Sequence, residues 1–216
     1  TGSNGMLGHD LIEVLKDKHE LLLTTSKTLD ITDGDSVMDF IVKSNPDIVI
    51  NSAAYTDVDG CESNPDLAYN VNGEGVKNLA LACREVDCPL VQISTDYVFN
   101  GKNDRPWVED DEIGPISIYG KSKRKGEEAI LEILDKYFIL RTAWLYGING
   151  KNFPKTMGDL AGSIRAAHRI TFAAQACGRS GGSGAIYPPA QVWCAGIAFL
   201  GPGADQPGGR ADQHGL

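Results

Sequence analysis

Through roughly the first 160 residues, short apolar runs alternate with stretches patterned at helical spacing. That alternation restricts the chain to a parallel sheet with helices packed on its faces. Asp47-Ile48-Val49-Ile50-Asn51, Leu90-Val91-Gln92-Ile93-Ser94 and Tyr137-Phe138-Ile139-Leu140-Arg141 read as strands, as does the shorter Leu21-Leu22-Leu23-Thr24. Helical patterns cover 6 to about 18, 32 to about 45, 65 to about 86 and 118 to 136. Thr32 or Asp33 can cap the second, and Pro46 stops it. In such a sheet, ligands bind beyond the carboxyl ends of the strands. Gly2, Ala53, Thr95 and Thr142 all lie just past such ends.

The first helical pattern opens on Gly2-Ser3-Asn4-Gly5-Met6-Leu7-Gly8. A sharp turn into a helix needs a backbone that tolerates positive φ and a close approach, and glycine permits both. The helix start then offers free N–H groups and partial positive charge to a phosphate. Gly2, Asn4, Gly5, Met6, Leu7 and Gly8 are therefore candidate contacts for a dinucleotide pyrophosphate. The spacing is Gly-x-x-Gly-x-x-Gly, so an ordinary glycine-rich turn is the competing reading. A cradle of this kind follows a strand, and the expectation is a doubly wound α/β sheet whose first strand is missing. The second strand ends at Thr24-Thr25-Ser26-Lys27 with no acid to hold a ribose 2′-hydroxyl. This favours NADPH over NADH, although Lys27 also suits an exposed surface. Asp30 and Ile31 are placed for the adenine edge; a turn aspartate is the alternative.

Tyr119 and Lys123 stand four apart in a helical pattern and so share a face. A free tyrosine titrates near 10. An ammonium within about 4–6 Å lowers that value, and the phenol can then donate a proton to a carbonyl oxygen as hydride reaches its carbon. Thr95, at a strand end, can hydrogen-bond the same oxygen. Tyr-x-x-x-Lys alone is uninformative; following a Ser-Thr at a strand end, it is not.

Composition breaks near Ala161. Sixteen Lys and Arg stand against 27 Asp and Glu up to that point; four Arg, no Lys and two Asp follow it. Eleven of the 25 glycines fall in 162–216, which shows no period of 2 or 3.6. The domain reading is a dinucleotide-binding unit over 1–161, followed by a Gly/Ala/Pro-rich stretch over 162–216. That stretch reads either as a flexible, disordered tail or as a segment translated in a shifted frame, which the coding DNA would reveal. A net charge of −9 argues against nucleic acid as a partner. No apolar run approaches the roughly 20 residues of a membrane span, and no leader is evident. Five cysteines without a Cys-x-x-Cys pair suit a reduced cytoplasm. His9, His19, His168 and His214 form no ligand-like cluster.

The glycine loop, Asn51-Ser52-Ala53-Ala54-Tyr55-Thr56-Asp57, Asn70-Val71-Asn72, Ser94-Thr95-Asp96-Tyr97-Val98-Phe99 and Tyr119-Gly120-Lys121-Ser122-Lys123 together resemble the extended short-chain dehydrogenases. Within them the chain is most similar to the dTDP-4-dehydrorhamnose reductases. Leu140-Arg141-Thr142-Ala143-Trp144-Leu145-Tyr146-Gly147 and Lys151-Asn152-Phe153-Pro154 support this, and the resemblance covers about 1–161. It implies a Rossmann-like fold and reduction of the 4-keto group of dTDP-4-dehydro-β-L-rhamnose by NADPH or NADH. It also implies a catalytic set of Thr95, Tyr119 and Lys123, with Lys123 on the nicotinamide ribose. Ala53, Ala54 and Tyr55, with Asp30 and Ile31, would line the dinucleotide; Thr56, Thr95, Asp96, Tyr97 and Trp144 would face the sugar nucleotide. The family continues into a small substrate domain that residues 162–216 do not match, so that domain is expected to be truncated or replaced.

Asp10 falls where some members place a magnesium ligand at a dimer contact. One carboxylate near a helix start complements the dipole instead, so no metal site is expected, while a homodimer is allowed. Asp96 also reads as a turn residue, Trp144 as a core aromatic, and Asn72 as a helix side chain bonded to a neighbouring loop. Two other functions fit the same fold: a nucleotide-sugar epimerase or dehydratase that retains its NAD, and a non-catalytic relative such as the regulatory subunit of S-adenosylmethionine synthetase.

Overall fold

The computed structural model describes residues 1–150, 152–160 and 198–200. Its sheet runs β1 (Val49–Asn51), β2 (Leu90–Thr95), β3 (Tyr137–Thr142) and β4 (Ala198–Leu200), in that order. The first three strands are parallel, with Val49 beside Leu90 and Leu90 beside Tyr137. β4 joins β3 antiparallel, Leu140 opposite Phe199. The parallel α/β architecture is the one that the alternating pattern predicts. Of the stretch 162–216, only Ala198–Leu200 is described, as β4. The rest of that stretch, and with it the shifted-frame reading, lies outside the described residues.

The helices are α1 (Met6–Leu15), α2 (Gly34–Ser44), α3 (Val58–Ser63), α4 (Pro65–Tyr69), α5 (Gly75–Glu85), α6 (Ile118–Ile133) and α7 (Phe153–Leu160). Their starts follow local chemistry. Asp33 caps α2 by accepting from Ser36 N, Asp57 caps α3 through Gly60 N, Pro65 opens α4, and Ser117 caps α6 through Gly120 N. The core lies between the sheet and helices α2, α5 and α6, where Val37, Ile41, Val76, Leu79, Leu90, Ile130 and Ile139 are buried together. Among the described residues no helix is long and apolar enough to cross a membrane.

Three expectations are corrected. The run Leu21-Leu22-Leu23-Thr24 is not a strand. Thr24 O accepts from Ser3 N at 3.0 Å, but Leu22 and Leu23 stay 50% and 53% exposed. A cleft of about 650 Å³ lies between this run and β1. A strand exists through its neighbours' hydrogen bonds, which apolar character alone does not supply. On its outer edge β1 meets Thr1, whose N donates to Ile50 O at 2.7 Å while Ser52 N donates to Thr1 O at 3.4 Å. Second, the helix expected over 65–86 is split: a π-helical turn (Asn70–Glu74) separates α4 from α5. Third, Asp10 lies beyond the first turn of α1, which holds no acidic residue. The dipole effect fades within that turn; a side chain at Gly147 would instead stand 2.8 Å from Asp10 Oδ2.

Candidate active site

The glycine loop turns on Gly2, whose φ is +69° and whose place leaves no room for a side chain: a Cβ there would lie 2.6 Å from Ala53 N. A Cβ at Gly8 would overlap Gly2 O. The loop is thus folded tightly onto the residues after β1. Gly5 N donates to Gly2 O at 2.9 Å, and Gly5 caps α1 with no side-chain acceptor. The start of α1 thus carries no side-chain cap, and an uncapped helix start can receive a phosphate. Asn4 is exposed, and the Met6 side chain packs beneath the loop after β3, within 3.7 Å of Asn152 Nδ2.

The loop after β1 is held from behind. Asn72, buried in the π-helical turn, accepts from Tyr55 N at 2.9 Å and donates to Tyr55 O at 2.9 Å and to Ser122 Oγ at 3.0 Å. It is the loop-bonded side chain that one sequence reading describes. A π turn gives its residues an aim that a regular helix would not, and such turns recur at functional sites. Ala53, Ala54 and Tyr55 are thereby fixed, half-buried, beside the glycine loop, with Thr56 exposed beyond them.

The end of β2 faces α6. Thr95 is buried; its hydroxyl donates to Asp96 Oδ1 at 3.1 Å and accepts from Tyr97 N at 3.2 Å. The Tyr119 ring packs edge-on to Tyr97, with centroids 5.6 Å apart. Burial pushes the Tyr119 phenol up to about 12; the Thr95 hydroxyl draws it down, while Asp96 pushes it further up. Burial likewise raises the Asp96 carboxyl, against its hydrogen bond to Thr95. Lys123 is buried and its Nζ donates to Ile93 O at 2.7 Å. Burial lowers its ammonium to about 8.

Tyr119, Lys123 and Thr95 thus converge between α6 and β2, as their spacing suggests. The acidifying action of Lys123 on the phenol is not present. Lys123 is turned to the strand, and the phenol keeps its proton firmly, because desolvation outweighs every other influence on it.

Asp30 and Ile31, the candidates for the adenine edge, both make contacts within the protein. The Ile31 side chain belongs to the core, where a Cβ on Gly75 would meet its Cγ1 at 2.7 Å. Asp30 Oδ1 accepts from Thr32 N and Thr32 Oγ1, both at 2.9 Å, so it closes its own turn. Trp144 is not a core aromatic: it is 64% exposed, with φ +55° and an edge-on contact to Phe153 at 5.5 Å. Tyr97 is 47% exposed. A non-glycine residue held at positive φ marks strain of the kind that collects at functional sites.

The sequence did not reveal the π turn, or the helices α3 and α7. It also did not reveal the carboxylate of Glu127 behind Lys123, although its spacing four residues on was visible. Among the described residues no cluster of His, Cys, Asp and Glu could hold a metal, and Cys61, Cys83 and Cys88 are free and buried.

Comparison with known proteins adds independent findings. The family model for the RmlD substrate binding domain matches residues 1–178, past the 161 at which the resemblance was expected to end. A dTDP-4-dehydrorhamnose reductase of Streptomyces griseus is 48% identical over 159 residues, covering 73% of this chain and 52% of the relative. Among solved structures, a dTDP-4-dehydrorhamnose reductase from Clostridium acetobutylicum superposes with a TM-score of 0.73 at 48% identity, over 74% of this chain and 57% of that one. One from Bacillus anthracis, solved in complex with NADP, gives a TM-score of 0.72 at 44% identity, over 74% and 58%. The chain spans about half the length of the curated relatives it matches.

Proposed function

The chain belongs to the RmlD substrate binding domain family, and from that premise we propose that it carries the cofactor-binding and proton-donating part of a keto-sugar reductase. The substrate is dTDP-4-dehydro-β-L-rhamnose, reduced at its 4-keto group to dTDP-L-rhamnose. The observation that carries this reading is the meeting of Tyr119, Lys123 and Thr95 between α6 and the end of β2.

The residues present fit a dinucleotide. Gly2 and Gly8 leave a cradle that side chains would fill, and the start of α1 lacks a side-chain cap. Gly2, Asn4, Gly5, Met6, Leu7 and Gly8 would hold the pyrophosphate through backbone groups. Ala53, Ala54 and Tyr55 would line the dinucleotide, and Asp30 with the Ile31 backbone would stand at the adenine. When bound, the reduced nicotinamide supplies the hydride.

The chain's own residues then handle the oxygen. Thr95 leaves Asp96 and donates to the ketone, holding it against Tyr119. As the carbonyl carbon receives hydride, the electron pair of the C=O bond moves onto oxygen, and the Tyr119 proton passes to it. The phenol, pushed up to about 12 by burial, keeps its proton at neutral pH and yields it to the far more basic oxygen that hydride addition creates. The phenolate left behind needs a positive neighbour, and Lys123 is one turn away. Thr56, Asp96, Tyr97 and Trp144 would frame the sugar nucleotide.

Steady-state NADPH oxidation by the intact gene product, offered dTDP-4-dehydrorhamnose beside other nucleotide-linked keto sugars, tests the proposal. Preference for the rhamnose precursor, with dTDP-L-rhamnose as product, supports it. Tightly held NAD with no net oxidation would point to an epimerase instead.

A further inference from the structure

One turn past Lys123 on the same face of α6, Glu127 is fully buried. Its Oε1 accepts from Ser94 Oγ at 2.6 Å on β2 and from Arg141 Nε at 3.0 Å on β3. Its Oε2 accepts from Arg141 Nη2 at 2.8 Å and from Arg124 Nη1 at 3.1 Å on α6 itself. Arg141 is buried as well, its guanidinium 5.1 Å over the Phe99 ring. One carboxylate therefore ties a helix to two adjacent strands, at the paired positions Ser94 and Arg141.

Those ties fall beside the reacting groups. On β2, Ile93 O takes the Lys123 ammonium, Ser94 takes Glu127, and Thr95 faces Tyr119. Three consecutive strand residues thus meet three residues of one helix face, spaced four apart. A buried ion pair adds little to stability once desolvation is counted, but a bidentate, fully bonded one fixes geometry.

We propose that Glu127, held by Arg141, is a positioning residue for the reduction: it sets how α6 lies on β2 and supplies the buried negative charge beside which Lys123 stands. The Glu127 carboxylate is itself held by Arg124 from α6 and Arg141 from β3, and Asp96 after β2 is held by Thr95. Glu127 acts on the Lys123 ammonium, favouring it against burial. The inference rests on the reductase reading for what Tyr119 and Lys123 do, and on the hydrogen bonds alone for how they are held.

The test titrates Lys123 directly in the full 216-residue protein. Lysine labelled with ¹³C is followed by heteronuclear NMR, and the Lys123 signal is assigned by its loss in Lys123→Met. Glu127→Gln keeps the shape and removes the charge; Glu127→Asp keeps the charge on a shorter arm. The Lys123 midpoint is expected to fall by about one pH unit in Glu127→Gln and to stay close to wild type in Glu127→Asp. An unchanged midpoint in the first, or equal shifts in both, overturns the proposal. If Glu127→Gln unfolds, Arg124→Gln serves: it removes a positive neighbour while leaving the Arg141 pair, and is expected to raise the midpoint. No rise overturns the proposal equally. Because the readout is titration, a shifted midpoint in a protein whose intact form reduces no keto sugar would remove the reductase reading and leave standing only the hold of Glu127 on Lys123.

Discussion

Lys123 gives its ammonium to Ile93 O at 2.7 Å, one helical turn from Tyr119. Burial pushes the phenol up to about 12 and the lysine down to about 8. Both values move away from a phenolate–ammonium pair, and both for the same reason, removal from water. At neutral pH both groups keep their protons, a neutral phenol beside an ammonium.

The Lys123 shift makes a stability prediction. Its ammonium is disfavoured in the folded protein, so between about pH 8 and 10.5 the unfolded chain binds more protons. Lys123 therefore opposes folding at neutral pH, and that opposition lifts as pH rises through this window. Relative to Lys123→Met, wild-type stability is expected to climb with a slope approaching about 1.4 kcal/mol per pH unit. Urea denaturation of both proteins from pH 7 to 10.5 measures it, and parallel curves would refute it.

Asn72 makes a second. Its amide satisfies Tyr55 N and O and reaches Ser122 Oγ. Asn72→Ala leaves those groups unpaired and should cost about 1–3 kcal/mol. Equilibrium denaturation measures the loss, and an effect under about 0.5 kcal/mol, the level of an ordinary surface change, would contradict the role given to the π turn.

How far these features were legible in the sequence depends on whether they are local. The strand patterns at Val49, Leu90 and Tyr137 and the cap Asp33 depend on neighbours within a few residues, and they form as the pattern predicts. Leu21-Leu22-Leu23-Thr24 reads equally like a strand, but strand identity is conferred by a partner far along the chain. The π turn at Asn70–Glu74 is invisible for a similar reason: its Asn72 bonds residues 17 and 50 positions away. The spacing of Tyr119 and Lys123 put them on one face correctly. It said nothing of Ile93 O, the acceptor that turns Lys123 aside, nor of the burial that raises the phenol.

Gly2 supports a third prediction. Gly2→Ala forces a side chain into positive φ, worth about 1–2 kcal/mol, and against Ala53 N at 2.6 Å. Both stability and NADPH affinity should fall. Fluorescence titration with NADPH checks the second, and unaltered affinity would remove the glycine loop from the cofactor site.

Trp144 separates stability from substrate. It is largely exposed and held at φ +55°, a conformation that glycine adopts freely. Trp144→Gly should leave stability within about 1 kcal/mol of wild type, while KM for the sugar nucleotide rises in the intact enzyme. An unchanged KM would place Trp144 outside the substrate surface.

The most direct test of the account is Tyr119→Phe in the intact gene product. Turnover of dTDP-4-dehydrorhamnose is followed by NADPH oxidation, and NADPH affinity is measured on the same preparation. Removing a general acid is expected to slow turnover by about 10²–10⁴-fold, with NADPH affinity nearly unchanged. Turnover equal to wild type, with the cofactor still bound, would show that the ketone oxygen takes its proton from elsewhere.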